Sequence, residues 1–371
     1  MDRDGRLTEV ADAAVLLLSA RRHAGSGEVL PVPPAPTLTE HRDEAASVRA
    51  TPSQTMSTTV RRRVASVRIC VVKQWVVVVG GTNMDVVART AAPLVPATSN
   101  PGRTRISPGG VGRNIAACLG LLGAPVRLVS AVGDDTFGDE ALRVTAACGA
   151  DVSAVRRVPG ATGTYTAVLD DRGELVTAVS DMAVVDELVL ETVHLTDAAL
   201  VVLDGNLAHA QATRVVAAAA QAGVPLAFEP VSVAKAARLA DLVHDLFLVT
   251  PNTDELAALT GRPPADWHAS VADLHDRGVE HVWVRHGADG SWMCSRGTEP
   301  VHLPAVPAEV VDVTGAGDAM LAAWVAAWLR GADPVESARD GHRAAAATIA
   351  SPHTVRPDLA AAMHHLTREH R

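Results

Sequence analysis

From residue 75 onward, short runs of valine, leucine and isoleucine alternate with longer segments rich in alanine. The short runs are apolar at successive positions, which is typical of strands in a parallel sheet covered on both faces. The longer segments have the length of helices that pack on such a sheet. The pattern predicts strands at 75–79, 126–129, 200–203, 225–228, 246–249 and 281–284, and helices at 112–122, 139–147, 208–222, 253–259, 271–277 and 319–329. We therefore expect an α/β fold with a mainly parallel central sheet.

One segment breaks this rhythm. The stretch TGTYTAVLDDRGELVTAVSD, at 162–181, alternates polar and apolar residues about an Asp-Arg-Gly turn. Such alternation around a turn predicts a β-hairpin. Ligands of open α/β sheets bind at the carboxyl ends of the strands, so an antiparallel hairpin here is a candidate lid over such a site.

The first 72 residues differ in composition from the rest. They are rich in proline, serine, threonine and charged residues, as in PVPPAPTLTEHRDEAASVRATPSQTMSTTVRRR. Such a composition buries little apolar surface, so we expect a mostly disordered extension at 1–72, with one helix at 7–22, followed by a folded domain at 73–371. Translation from Met56 is an alternative that the sequence leaves open.

Composition and net charge limit the kinds of molecule that this protein is expected to bind. The 371 residues are 48% hydrophobic, enough for the core of one large domain or two smaller ones, and the net charge is −9. Binding to nucleic acid irrespective of its sequence needs a basic surface, so small molecules are the expected partners. The four cysteines are widely spaced, which predicts free thiols rather than a zinc site or disulfides. No apolar run has the length of a membrane span, and acidic residues stand where a signal peptide would be basic, so we expect a cytoplasmic protein.

The stretch VVDVTGAGDAMLAAWVAAW, at 310–328, places two glycines and an aspartate before an apolar helix. The unpaired N–H groups and the dipole at a helix start form a site for anions. Gly315, Ala316 and Gly317 would lie at this start, with Asp318 in the first turn. The alternative is that Asp318 only caps the helix.

Several classes of glycine-rich site are excluded or disfavoured. A P-loop requires a lysine after its last glycine, but neither Lys73 nor Lys235 follows a glycine. A dinucleotide-binding turn requires Gly-x-Gly-x-x-Gly directly after the first strand, and that spacing is missing, so a nicotinamide enzyme is only a weak rival. The histidines show no spacing typical of zinc or iron ligands.

Five stretches together resemble the ribokinase-like, PfkB-type carbohydrate and nucleoside kinases, over about 74–360. They are SPGGVGRNIAACLGLLGAPV, VGDDTFGDEAL, TPNTDELAALTG, VRHGADGSW and VVDVTGAGDAM, in the order typical of that family. Further stretches resemble its pseudouridine kinase branch: GGTNMD, SNPG, GGVGRNIA, TGTYTAVLD, VSDM and LDGNL. The resemblance implies a three-layer α/β/α fold with a β lid around 86–106 and 162–182. It also implies ATP- and Mg²⁺-dependent phosphorylation of pseudouridine to its 5′-phosphate. A kinase for another ribose-containing substrate, or a sugar-binding regulator without activity, are the alternatives.

The resemblance also implies roles for residues on the phosphate side. Asp318 would act as the base, with the N–H groups of Gly315, Ala316 and Gly317 as an anion hole. Asn252 and Glu255 would order Mg²⁺ through water, unless they only cap a helix. Further residues would border ATP or a monovalent cation: Gly287, Gly290 and Arg285 beside ATP, and Asp312 and Thr314 beside K⁺. Arg285 stands where many relatives have threonine, and it either reaches a phosphate or lies on the surface.

On the substrate side, the resemblance and the strand ends indicate residues that would contact the ribose: Asn83, Asp85, Gly109, Gly110, Asn114 and Asp204. A carboxylate and an amide together can hydrogen-bond vicinal hydroxyls. Asn100, Tyr165 and Asp181 lie on or near the expected lid and are candidates for contact with the base. A homodimer formed through the lid is a further expectation.

Overall fold

The computed structural model describes residues 75–188, 195 and 197–369. The helix predicted at 7–22 and the extension predicted at 1–72 lie outside the described residues. The strands, in chain order, are β1 (Trp75–Val79), β2 (Asn83–Thr90), β3 (Gly102–Gly109), β4 (Val126–Gly133), β5 (Val155–Val158), β6 (Thr164–Leu169), β7 (Leu175–Asp181), β8 (Ala198–Asp204), β9 (Leu226–Glu229), β10 (Leu248–Val249), β11 (His281–Arg285), β12 (Ser291–Ser295) and β13 (Val301–Leu303).

The α-helices are α1 (Val111–Leu121), α2 (Thr136–Ala147), α3 (His209–Ala222), α4 (Val233–Leu239), α5 (Thr253–Thr260), α6 (Trp267–Asp276), α7 (Ala316–Leu329), α8 (Pro334–Ile349) and α9 (Leu359–Glu369). Short 3₁₀ turns lie at Ala183–Glu187, Ala240–Leu242, Pro264–Asp266 and Gly287–Asp289. None of these helices is long and apolar enough to cross a membrane.

Nine strands form the central sheet, in the order β13-β12-β11-β10-β9-β8-β1-β4-β5. The strands from β11 to β5 are parallel, and β12 and β13 continue the sheet antiparallel at one edge. Successive residues of β1 enter different cores: Val77 and Val79 pack on one face, and Val76 and Val78 on the other. Both faces are therefore covered, which explains the uninterrupted apolar runs of the inner strands.

A second sheet of four strands, in the order β3-β2-β6-β7, stands apart from the first. β6 and β7 pair antiparallel through the Asp-Arg-Gly turn, so the hairpin predicted at 162–181 is confirmed. β2 pairs antiparallel with β3 and parallel with β6. The predicted α/β fold, with a mainly parallel sheet and a smaller second sheet, is confirmed. We refer to the second sheet as the lid.

Three details differ from the prediction. Helix α7 begins at Ala316 rather than at 319, because Gly315 takes a left-handed conformation that allows the helix to start at once. The apolar pattern does not reveal the short edge strands β5 and β13, or the short strand β12 beside β13. Helices α4, α8 and α9 were not predicted, although Asp333 caps α8 and Pro334 occupies its first turn, which is a signal of a helix start.

Candidate active site

Polar side chains gather at the carboxyl edge of the central sheet. Asp204 ends β8, Glu229 ends β9 and Arg285 ends β11, while Asn252 follows β10 and caps α5. In parallel strands these ends meet at one edge, where α/β proteins bind their ligands. Helix α7 starts at the same edge, because Gly317 of its first turn approaches Arg285.

Both glycines at the start of α7 lie close to other groups. Gly315 has a φ of 80°, and a side chain there would collide with the carbonyl oxygen of Thr354. A Cβ on Gly317 would lie only 2.7 Å from Nη1 of Arg285. The first turn therefore exposes backbone N–H groups that have no partner within the helix, next to a guanidinium. Such an arrangement attracts anions.

Asp318 lies in this first turn and is 9% exposed. Its Oδ2 accepts a hydrogen bond of 2.8 Å from Nδ2 of Asn114 on α1, so its side chain is directed across the site toward another helix. Burial raises the pKa of Asp318 to about 7; the Asn114 bond opposes this change, and Glu229 adds to it. A buried carboxyl group with a pKa near neutrality is suited to accept a proton.

Arg285 is not a surface residue, since its side chain is only 14% exposed. Its Nη2 lies 2.6 Å from Oε1 of Glu229 and 3.6 Å from Oε2 of Glu255. These two carboxylates hold the guanidinium beside Gly317. Of the two alternatives for Arg285, the surface position is therefore wrong, and contact with a phosphate stays a prediction.

Asn252 and Glu255 form a reciprocal cap at the start of α5. The side chain of Asn252 accepts from the Glu255 N–H at 2.8 Å, and the Glu255 carboxylate accepts from the Asn252 N–H at 2.8 Å. Burial raises the pKa of Glu255 to about 7, with Arg285 opposing and Glu229 reinforcing the change. The capping alternative is thus present in the structure, and the Glu255 carboxylate also faces Arg285.

The donor set at this edge fits a divalent cation. Glu229 and Glu255 are two buried carboxyl groups whose charges interact, and both lie beside the guanidinium of Arg285. Carboxylate oxygens are the ligands that Mg²⁺ prefers, usually with several waters retained. Among the described residues, no group of three or more His, Cys, Asp or Glu is arranged to hold a metal directly.

At the junction of the lid and the central sheet, Asn83 and Asp85 form a pair. Nδ2 of Asn83 donates to Oδ1 of Asp85 at 2.7 Å, and Gly109 lies directly against the Asp85 carboxylate. Burial raises the pKa of Asp85, although Asn83, Arg113 and Arg105 act against this. Tyr165 lies opposite Asp85 in the β2–β6 pairing, on the same face of the lid.

Asp204 is fully buried below this pair, and its contacts are with protein groups. Its carboxylate accepts from the backbone N–H groups of Gly81 at 2.9 Å, Gly112 at 2.6 Å and Asn206 at 2.9 Å. These bonds tie the turn after β1 to the start of α1, which Gly110 precedes as its N-cap. Asp204 therefore anchors the two loops that carry the other candidate residues, and direct contact with a sugar stays a prediction.

The remaining candidates lie on the lid, at Asn100 and Asp181, and directly before α7, at Asp312 and Thr314. Asn100 stabilises the connection between β2 and β3. Its Oδ1 accepts from the N–H of Val95 at 2.9 Å, and its Nδ2 donates to the carbonyl of Val95 at 2.8 Å. Asp181 ends β7 and is exposed. The N–H of Thr314 donates to Asp312 at 3.0 Å, and Arg105 of the lid lies 3.8 Å from Asp312.

The loop carrying Gly287 and Gly290 forms the 3₁₀ turn after β11. A Cβ at Gly287 would meet no atom within 4 Å because this position is exposed, and contact with a base or ribose stays a prediction.

Three residues at the site are absent from the predicted set: Glu229, Arg113 and Arg105. Glu229 follows the same rule that identified Asp204, because it is an acid at the end of a buried strand. Arg113 lies inside GGVGRNIA, but sequence gives no sign that its side chain is buried. Arg105 reaches the carbonyl of Pro352 at 2.8 Å, a contact that requires the fold.

Comparison with known proteins bears directly on this geometry. The model of the family described as pfkB family carbohydrate kinase matches residues 73–360. The chain is 32% identical over 299 residues to the pseudouridine kinase of Escherichia coli (strain K12), covering 78% of this chain and 95% of that protein. The chain belongs to the pfkB family of carbohydrate kinases.

Two further matches are consistent with membership in the pfkB family. The pseudouridine kinase of Arabidopsis thaliana is 25% identical over 351 residues, covering 76% of this chain and 92% of that protein. The structure of Arabidopsis thaliana ribokinase complexed with ribose and ATP superposes with a TM-score of 0.71 at 25% identity, covering 79% of this chain and 99% of that one. This pfkB protein is therefore a ribokinase-like phosphotransferase that acts on a sugar hydroxyl, and its family implies the use of ATP.

Proposed function

We propose that this protein phosphorylates the 5′-hydroxyl of pseudouridine with ATP. The observation that carries the proposal is the position of Asp318, buried at a glycine-led helix start between Asn114 on one side and Arg285 on the other. Two relatives named pseudouridine kinase support the choice of nucleoside.

In the proposed reaction, O5′ of the nucleoside attacks the γ-phosphorus of ATP. The O5′ proton passes to the Asp318 carboxylate, and the bond from the γ-phosphorus to the bridging oxygen breaks to release ADP. Phosphoryl transfer depends on positioning and on stabilising charge, more than on covalent chemistry by the protein. The buried carboxylate of Asp318 forms no side-chain cap at the start of α7, so it is available to be positioned against O5′.

The phosphate side would be held by backbone and by one side chain. The N–H groups of Gly315, Ala316 and Gly317 would bind the oxygens of the migrating group, with Arg285 alongside. Mg²⁺, when bound, would neutralise charge on the β- and γ-phosphates. Glu229 and Glu255 would hold its waters, with Asn252 beside them.

The nucleoside would lie between the lid and the start of α1. Asn83, Asp85 and Asn114 would bond the ribose, with Gly109 and Gly110 allowing close approach of the backbone. Tyr165, Asp181 and Asn100 remain the candidates for the base, and Asp312 with Thr314 remains the candidate site for K⁺.

The outer face of the lid is the candidate surface for a homodimer. Ile106 is 51% exposed and Val179 is 65% exposed. Ile106 lies opposite Val86, Val86 opposite Thr166, and Thr166 opposite Val179, so these side chains share one face. We propose that a second copy of the chain covers this face.

The substrate assignment is tested with a panel of acceptors: pseudouridine, uridine, ribose and adenosine. Pseudouridine has a ring N–H that uridine lacks, and a site with a buried acceptor for it disfavours uridine. An unpaired buried polar group costs about 1–3 kcal/mol, so we expect kcat/KM to be about 5- to 150-fold higher for pseudouridine. Asp181 is exposed in this structure, so as the acceptor it would be covered by the bound nucleoside. Asp181→Ala should then remove this preference without changing ribose binding. Equal or faster turnover of uridine contradicts the nucleoside assignment and leaves the kinase assignment intact.

The pH dependence is a second test. Because only the carboxylate form of Asp318 accepts a proton, and its pKa is raised to about 7, kcat/KM should rise with pH below neutrality and level off above it. Glu255 also has a pKa of about 7, so Glu255→Gln serves as the control. This variant should be slower but should keep the acid limb. If the rise of kcat/KM below neutrality disappears in Glu255→Gln, that rise reflects the ionisation of Glu255 and not that of the base.

A further inference from the structure

Arg113 is a buried cation whose role the proposed reaction does not explain. It lies in the first turn of α1 and is 2% exposed. Among the described residues, no carboxylate lies within 4.0 Å of its guanidinium. Burying a charge without a paired counter-ion is costly, so the position calls for an explanation.

The guanidinium is held by three neutral oxygens from three elements. Nε donates to Oγ1 of Thr145 on α2 at 3.0 Å. Nη1 donates to the carbonyl of Pro108 on β3 at 3.3 Å, and to Oδ1 of Asn114 at 2.8 Å. Thr145 Oγ1 in turn donates to the carbonyl of Ala141 at 2.6 Å, so its lone pairs are directed at Arg113. These three hydrogen bonds hold the guanidinium of Arg113 in one orientation.

This orientation fixes the amide of Asn114. Arginine has only hydrogen-bond donors, so the amide group must present its oxygen to Arg113. Its NH₂ group then faces Asp318, to which it donates at 2.8 Å. If the amide turned over, two donors would face each other at Arg113, and the amide oxygen would face the Asp318 carboxyl group.

We propose that Arg113 is a positioning residue, which holds the Asn114 amide so that its NH₂ group always faces Asp318. This inference rests on the proposed role of Asp318. An amide that is free to turn can accept a hydrogen bond from the protonated carboxyl group of Asp318 through its oxygen, and can thereby stabilise the inactive acid. Arg113 prevents that arrangement without touching the reacting atoms.

The charged groups around Asp318 explain why the orientation of the Asn114 amide matters. Glu229 at the end of β9 and Asp204 at the end of β8 both disfavour the carboxylate form of Asp318, while Arg285 at the end of β11 favours it. Arg113 itself, and the thiol of Cys118, also lie within electrostatic reach on α1. Against two nearby carboxyl groups, the hydrogen bond from Asn114 helps to keep Asp318 ready to accept a proton.

The kinetic test compares Arg113→Met and Arg113→Lys with the wild type. Loss of a partner that orients a metal ligand typically costs about 10- to 100-fold in activity, and we take the same scale for the amide of Asn114. We expect Arg113→Met to lower kcat by about that factor and to move the acid limb of kcat to higher pH. The KM for nucleoside should rise by a smaller factor, because Asn114 is also proposed to bond the ribose. Arg113→Lys, which keeps the charge and one donor, should recover part of the rate.

A double-variant cycle separates orientation from simple electrostatics. If Arg113 acts through the amide, adding Arg113→Met to Asn114→Ala should slow the enzyme by no more than about twofold, because the intermediary is already gone. Independent, multiplying effects of the two changes would overturn the proposal. Arg127→Met is the matched control, since Arg127 is partly buried and pairs with Asp151 at 2.7 Å without any link to Asn114. This control should keep the wild-type kcat.

A measurement without substrate distinguishes this proposal from the proposed function. The chain has five asparagines, Asn83, Asn100, Asn114, Asn206 and Asn252, so protein labelled with ¹⁵N at asparagine gives few side-chain NH₂ signals. The signal lost in Asn114→Ala identifies Asn114. In the wild type it should shift through neutral pH as Asp318 titrates, and this response should be lost in Asp318→Asn and weakened in Arg113→Met. An unaltered response in Arg113→Met overturns the positioning role, even if no nucleoside is phosphorylated.

Discussion

Replacing Asp318 with asparagine is expected to lower kcat by about 10²- to 10⁴-fold, the usual contribution of a positioned proton acceptor. The substitution keeps the size of the side chain and an oxygen that can accept from Asn114, so the start of α7 should be unchanged. Affinity for the nucleoside depends on other groups and should stay within a few-fold of the wild type. Steady-state kinetics with pseudouridine, together with nucleoside binding by calorimetry, measures both quantities.

A suitable control is Asp333→Asn, at the start of the next helix. Asp333 caps α8 through the N–H groups of Val335 and Glu336 at 2.9 Å, and asparagine is an equally good cap. This variant should keep full activity. Turnover by Asp318→Asn at near the wild-type rate would remove Asp318 from the mechanism.

The sequence predicted the central sheet well because its inner strands are buried on both faces. β1 was predicted with its observed bounds, and the other predicted strands fall within a few residues of those observed. β5 and β13 lie at the two edges, where partial exposure interrupts the apolar pattern. β12 lies inside β13 and is mostly buried, but its apolar run, 292–294, is short. The apolar pattern thus fails where burial is incomplete or the apolar run is short.

Candidate site residues were predictable where they follow strands or open helices. Asp204, Asn252, Arg285 and Asp318 all occupy such positions, and the fold brings them to one edge of the sheet. The contacts that each side chain makes at this edge could not be predicted from the sequence. The carboxylate of Asp204 accepts hydrogen bonds from the backbone N–H groups of Gly81, Gly112 and Asn206. Gly81 and Gly112 are far from Asp204 in the sequence, so these contacts appear only in the fold.

The two arginines at the site illustrate the same limit. The sequence indicates no role for Arg113 and allows Arg285 either at a phosphate or on the surface, and the structure buries both. Arg285 is held by Glu229 and Glu255, which arrive from two other strand-to-helix connections. Only the assembled sheet edge shows that a cation lies beside the helix start.

Replacing Arg285 with methionine is expected to have the second large effect. The guanidinium lies beside Gly317, where it would face charge that develops on the migrating phosphoryl group. Removing one such donor typically costs about 10²- to 10³-fold in kcat. We expect a loss of that size, with KM for the nucleoside unchanged and KM for ATP raised, in steady-state kinetics that vary each substrate in turn.

The alternative is that Arg285 serves only to neutralise Glu229 and Glu255, in which case its loss would affect stability rather than chemistry. Breaking a buried ion pair costs about 3–5 kcal/mol, so thermal unfolding must be measured beside the kinetics. Arg277→Met is the matched control, because Arg277 is also partly buried and paired, with Asp273, but lies away from α7. The decisive measurement is rescue of Arg285→Ala by added guanidinium ion, which restores a cation but not a covalent link. Recovery of kcat is expected if the cation acts on the phosphoryl group. If Arg285→Met is less stable but turns over at the wild-type rate once folded, Arg285 is a counter-ion and the phosphate site consists of the helix start alone.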